Sequence, residues 1–120
     1  MSDSHVDRKV LSDLQDVMGD DYLKLLETFL FDSERRLESL YRARHAEELR
    51  LAAHSFKGSA SNMGAHELAE RCRQLEERAA QQPLFDIQHF INQIRREFIE
   101  VRTIFRDECT RVQGQLNFPL

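Results

Sequence analysis

The run His54-Ser55-Phe56-Lys57-Gly58-Ser59-Ala60-Ser61-Asn62-Met63-Gly64-Ala65 puts an imidazole, a cation and a glycine within about one helical turn of each other. On a helical wheel with His54 at 0° and about 100° per residue, Lys57 falls near 300°, Gly58 near 40°, Ser61 near 340° and Arg50 near 320°. They share one side. Ala52, Phe56, Ala60 and Met63 gather between about 160° and 240°, and an apolar stripe of that kind must face a core. His54 is therefore predicted to stand in solvent, opposite the buried face.

A neutral imidazole is a nucleophile whose ring nitrogen can form a covalent bond to a transferring group. Lys57, one turn on, is expected to favour the neutral ring by like-charge repulsion and to pair with an incoming phosphoryl group. Ser61 is the hydrogen-bonding candidate on the same face. Gly58 costs a helix interior on the order of 1 kcal/mol relative to alanine. A helical glycine beside an exposed histidine suggests that another surface comes close there. A lone helical histidine is most often just a solvated side chain, and these neighbours are what set His54 apart.

The constellation resembles the histidine-containing phosphotransfer (HPt) domains of bacterial phosphorelays. Their hallmark is His-x-x-Lys-Gly-Ser, a small residue, three further residues, then Gly, matched here by His54, Lys57, Gly58, Ser59, Ala60 and Gly64. The resemblance implies a four-helix bundle that takes a phosphoryl group on its histidine from a receiver-domain aspartyl-phosphate and passes it to another receiver. It makes His54 the phosphoacceptor, Lys57 the stabilising cation and Gly58 the point of close approach. The family often has a second serine where this chain has Ala60, a position on the predicted core face. Some relatives carry a glutamine on the next helix near the phosphohistidine; Gln74 and Glu76 are the nearest candidates here, and the sequence does not choose between them.

The rest of the chain limits the alternatives. Its 120 residues suit one domain, 1–120, and leave no room for a typical kinase catalytic domain beside it. The net charge of −4, with acids and bases interspersed, argues against nucleic acid or an anionic membrane as partner. No apolar segment is long enough to span a bilayer, and Met1–Asp7 shows no basic region followed by an apolar run, so a cytoplasmic protein is expected. Cys72 and Cys109 are too few for a disulfide framework and lack CxxC spacing; both read as small buried hydrophobes, Cys72 in register with Leu68, Leu75 and Ala79. His5, His45, His66 and His89 have no comparable surroundings and read as incidental. No pair of histidines has zinc-site spacing with a carboxylate, so no metal site is expected.

Only four glycines and two prolines interrupt a chain rich in Leu, Glu, Arg and Gln, and no segment alternates with period two, so the fold class is all-α. A short first helix is expected from about Asp7 to Val17, ended by Gly19. A second opens at Asp20-Asp21 and ends near Arg44-His45, burying Leu26, Phe29, Leu30, Leu37, Leu40 and Tyr41 and leaving Asp32, Glu34, Arg35 and Arg36 in solvent. The motif helix runs from about Ala46 to Met63 with Gly64 as its stop, and the next from Ala65 to about Gln81, before Pro83. The last helix carries Ile87, Phe90, Ile91, Ile94, Phe98, Val101, Phe105, Cys109, Val112 and Leu116 on one face. Phe31 and Phe118 have no clear place in a core. Short connections favour antiparallel neighbours, hence an up-down-up-down four-helix bundle with the first helix packed across one end.

The chain thus reads as a monomeric, stand-alone phosphorelay intermediate whose partners are the receiver domains of a hybrid sensor kinase and a response regulator. It has no phosphate-binding loop, no kinase glycine-rich loop and no acidic cluster for Mg²⁺. It is expected to be a carrier without its own ATP site, with Mg²⁺ supplied by the receiver. Arg42, Arg50 and Arg73 are candidates for positioning that receiver, and exposed apolar residues for docking are expected on the second helix. The alternative is a helical adaptor or inhibitor that binds a receiver or kinase without being phosphorylated. A four-helix metal or cofactor protein fits less well, because the ionisable motif points outward.

Overall fold

Five α-helices and one 3₁₀ turn account for the architecture of the computed structural model, which describes residues 5–81 and 83–116. The helices are α1 (Arg8–Met18), α2 (Tyr22–Arg42), α3 (Ala46–Asn62), α4 (His66–Ala79) and α5 (Ile87–Leu116), with the 3₁₀ turn at Gly19–Asp21. Phe118 and residues 1–4 of the N-terminal stretch lie outside the described residues. The described residues contain no strand.

Each boundary has a local cause. Asp7 caps α1 by accepting a hydrogen bond from the Lys9 amide at 3.0 Å, which satisfies one of the orphan donors of a helix start. Gly19, at φ 54°, ends α1 in a backbone conformation that glycine adopts without penalty. The turn at Gly19–Asp21 moves the start of α2 one residue beyond the expected Asp20-Asp21, and α2 stops at Arg42 rather than at Arg44-His45.

α2 packs on α3, α3 most extensively on α4, α4 on α5, and α5 back on α2, so these four helices close a ring around one core. Phe56 and Phe98 meet edge to face with centroids 6.3 Å apart, and Phe29 and Phe105 tilt together at 4.7 Å. Burying a side chain such as Phe98 contributes about 1.5–3 kcal/mol. Ile91, Ile94, Phe98, Val101, Phe105 and Val112 of α5 are all buried, as the periodicity requires.

Several expected core positions are corrected. Tyr41 is 42% exposed, because its hydroxyl sits at the bundle surface and bonds Asn92 Oδ1 at 3.2 Å. Leu116 is 53% exposed, at the end of α5. Cys109 is only half-buried; the buried place beside it belongs to Glu108, which the Tyr22 hydroxyl bonds at 2.6 Å and Arg111 grips in a fork. On α3 it is Ala53, not Ala52, that is fully buried, while Ala52 packs at the margin of the core.

α1 is tied down at both ends. The Asp7 amide donates to Gly64 O at 2.8 Å, joining the start of α1 to the α3–α4 turn, and the neighbouring Val6 is buried. Gln15 bonds Gln115 and accepts from Arg111 on α5. His5 and His66, read as incidental, both hold this segment: His5 Nδ1 lies 2.8 Å from Glu97, and His66 Nε2 lies 3.5 Å from Asp7.

Gly64 has φ 79°, and a Cβ placed there would lie 2.9 Å from Val10 Cβ. It is therefore the seat of α1 as well as the stop of α3. Gly64→Ala is expected to cost about 1–3 kcal/mol from backbone strain alone, with the clash against Val10 adding to it. A thermal melt followed by circular dichroism checks this; an unchanged midpoint would contradict it.

Candidate functional site

The apolar face of α3, formed by Leu49, Ala53, Phe56 and Ala60, is pulled into the core, and this turns His54 outward. Its side chain is 61% exposed, as predicted from the wheel. Gly58, one turn on, is exposed, and a Cβ built there would meet nothing within 4 Å, so the space above it is open. Lys57 lies closer to α4 and is 31% exposed.

What the sequence could not assign is the residue that organises the two bases. Glu76 of α4 lies between them: Oε2 is 2.8 Å from His54 Nδ1 and Oε1 is 2.8 Å from Lys57 Nζ. Its side chain is only 18% exposed. The Lys57 ammonium first, and His54 after it, hold the Glu76 carboxyl below its ordinary value against the opposing effect of desolvation. An ionised carboxylate only accepts hydrogen bonds, so His54 Nδ1 is the donor in this contact, and in the neutral ring the lone pair is then on Nε2. The expected like-charge opposition of Lys57 and His54 is thus replaced by a cation–carboxylate–imidazole arrangement. Gln74, the other candidate, turns away to bond Glu70 at 3.4 Å.

A signal for Glu76 was present in the sequence. Side chains three, four and seven positions apart share a helix face, and Glu76 stands at those offsets from Ala79, Cys72 and Ala69, all of them buried. Gln74 and Glu77 stand at none of those offsets from these three residues. A carboxylate on the margin of a core facing α3 has to find a partner there.

The remaining predicted residues divide. Ser61 is exposed, and its hydroxyl forms no hydrogen bond among the described residues. Arg50 is gripped by Glu47 through Nε at 3.0 Å and Nη2 at 2.7 Å. Arg73 is held by Glu70 and Glu77, and Arg42 pairs with Glu38 at 3.2 Å, so all three arginines are engaged by carboxylates of their own helices and none is hydrogen-bonded to His54. Arg36, expected in solvent, is half-buried and donates through Nη1 to the hydroxyl of Ser55, the neighbour of His54. Exposed apolar side chains occur on α2 at Phe31, 63% exposed, and also on α3 itself at Leu51, 52% exposed and one turn before His54. Among the described residues no group of three or more His, Cys, Asp or Glu is placed to hold a metal ion, and no helix is long and apolar enough to cross a membrane.

The chain is similar to known proteins. A family model for the Hpt domain matches residues 24–103, which include all of α3 and α4. The crystal structure of histidine-containing phosphotransfer protein B (HptB) from Pseudomonas aeruginosa PAO1 is similar, with a TM-score of 0.85 and 49% sequence identity over 89% of this chain and 96% of that one. No curated protein matches.

Proposed function

The chain belongs to the Hpt domain family, and from that premise we propose that His54 is its phosphoacceptor, charged by a receiver-domain aspartyl-phosphate and discharged to the aspartate of a second receiver. As a histidine phosphotransfer intermediate of a phosphorelay, it carries the group between partners and makes none itself. The observation that carries the assignment is the Glu76 contact, because it orients an exposed imidazole with Nε2 outward.

In the step we envisage, Nε2 attacks phosphorus, the P–N bond forms as the acyl P–O bond breaks, and the aspartate leaves as a carboxylate. No proton has to move, because the ring already holds one at Nδ1. The phosphorylated ring is cationic at that moment, and its Nδ1–H already faces the Glu76 carboxylate. Lys57 is available to the phosphoryl oxygens as a point charge, at the expense of its pairing with Glu76. Ser61 is a further donor on the same face, and Gly58 leaves room for the receiver. The receiver brings the aspartate and the Mg²⁺ that neutralises the transferring group.

The ring of contacts through α2, α3, α4 and α5 supports an up-down-up-down bundle with α1 across one end. We further propose that the chain is one domain, monomeric and cytoplasmic. The partners are the receivers of a hybrid sensor kinase and a response regulator, without nucleic acid or membrane. The carrier has no ATP site of its own.

The test is transfer from a receiver labelled with acetyl phosphate. The parent chain is expected to take up label only while Mg²⁺ is present, to lose that ability on chelation and to regain it on restoration. Direct labelling from ATP without a kinase would contradict the proposal. Lys57→Ala should slow transfer by about threefold to fivefold, the scale of one partly solvated charge. Glu76→Gln should slow it about tenfold, because a charge-assisted bond that fixes the ring is lost and Lys57 is left unpaired. Parental rates in both variants would leave the arrangement around Glu76 without a role.

A further inference from the structure

We infer that Arg36 is a positioning residue for the receiver, taking a carboxylate of that partner on its guanidinium and fixing it on the α2 side of His54. The inference rests on the reading of His54 given above and concerns how the partner is held there.

Arg36 is half-buried, its Nε is sealed from solvent without a hydrogen-bond partner, and Nη1 donates to Ser55 at the surface. Among the described residues no carboxylate comes within ion-pair distance of it, Asp32 one turn earlier included. A cation partly removed from water and lacking a counter-ion has much to gain from acquiring one. The neighbouring cations are already compensated: Lys57 by Glu76, Arg50 by Glu47, Arg73 by Glu70 and Glu77, and Arg42 by Glu38. Arg36 is therefore the half-buried positive charge beside His54 that stays open to an incoming acid.

Its placement is directional. Lys57 flanks His54 on the α4 side, whereas Ser55, roughly 100° further round the wheel, carries Arg36 on the α2 side. Between them Gly58 and the exposed Leu51 offer a low surface from which a docked partner would exclude water. A carboxylate seated there would meet the Nη2 end of the guanidinium, which has no hydrogen-bond partner among the described residues and is not closed off as Nε is, under partial desolvation, the situation in which an interfacial ion pair fixes orientation.

The experiment follows single-turnover transfer as a function of receiver concentration. It uses the receiver domain, labelled with acetyl phosphate, that transfers fastest to the parent chain. Arg36→Ala is expected to raise the half-saturating receiver concentration about tenfold while leaving the saturating rate within about twofold. Arg36→Gln, which keeps a hydrogen bond for Ser55 but not the charge, should behave like Arg36→Ala, and Arg36→Glu should be worse than either. The gap between parent and Arg36→Ala should narrow as salt is raised.

An unchanged half-saturating concentration would overturn the inference, as would parental behaviour of Arg36→Gln, which would reduce Arg36 to a tie between α2 and α3. A reduced saturating rate at unchanged half-saturation would overturn it too, by placing Arg36 on the phosphoryl group instead of the partner. His54→Gln is run alongside. Label on that variant sinks the reading of His54, whereas parental labelling at His54 with an indifferent Arg36→Ala sinks this inference alone.

Discussion

His54→Gln, mixed with a phosphorylated receiver and Mg²⁺, is expected to acquire no label, with a thermal midpoint and helical circular dichroism close to those of the parent. The two expectations have separate physical origins. Loss of label follows from removing the nucleophilic Nε2, for which a glutamine amide is no substitute. Retained stability follows from a side chain that is 61% exposed and outside the core, so structurally the variant gives up little beyond the bond to Glu76. A variant that still binds the receiver but takes up nothing would separate docking from chemistry. A labelled variant would move the acceptor elsewhere.

Gly58→Leu should affect function and stability in opposite directions. A Cβ at Gly58 has nothing within 4 Å, so no clash at that atom opposes the gain from replacing a helical glycine with a good helix former, which should add about 0.5–1 kcal/mol to stability. The same side chain would stand beside His54, where the receiver must approach for in-line transfer. Transfer is expected to fall by more than about tenfold, equivalent to losing about 1.4 kcal/mol of productive association. A melt and a single-turnover assay on the same preparation check both halves. Parental transfer kinetics would remove the close-approach argument.

The outward face of α3 could be read from the sequence because one helix carries all of it: periodicity alone puts Phe56 and Ala60 inside and His54 outside. The boundaries set by Asp7, Gly19 and Gly64 were legible for a similar reason, since these residues act locally, whereas α2 and α4 end earlier than the sequence suggested. Contacts made across helices were much harder to read. Glu76 is 22 positions from His54, and what distinguishes it from Glu77 is its place on the buried arc of α4. Arg36 looked solvated within the charged stretch of α2, yet packing against α3 closes off its Nε. Glu108 interrupts an apolar run at a buried position, three residues after Phe105 and four before Val112, and Tyr22 and Arg111 satisfy it there. Tyr41 shows the opposite case: its helical spacing fits the core, but its hydroxyl keeps it at the surface beside Asn92.

The central claim is that a phosphoryl group resides on Nε2 of His54 while in transit. The most direct test is to load the parent chain from a labelled receiver, remove the receiver, and divide the product between mild acid and base before mapping the modified residue by mass spectrometry. A phosphoramidate is expected to lose its label in acid and keep it in base, with the modification on the peptide containing His54, and the same loaded chain should return label to an unphosphorylated receiver. Label that survives acid and maps to Ser55, Ser59 or Ser61, or label on His54 that no receiver can remove, would contradict the account.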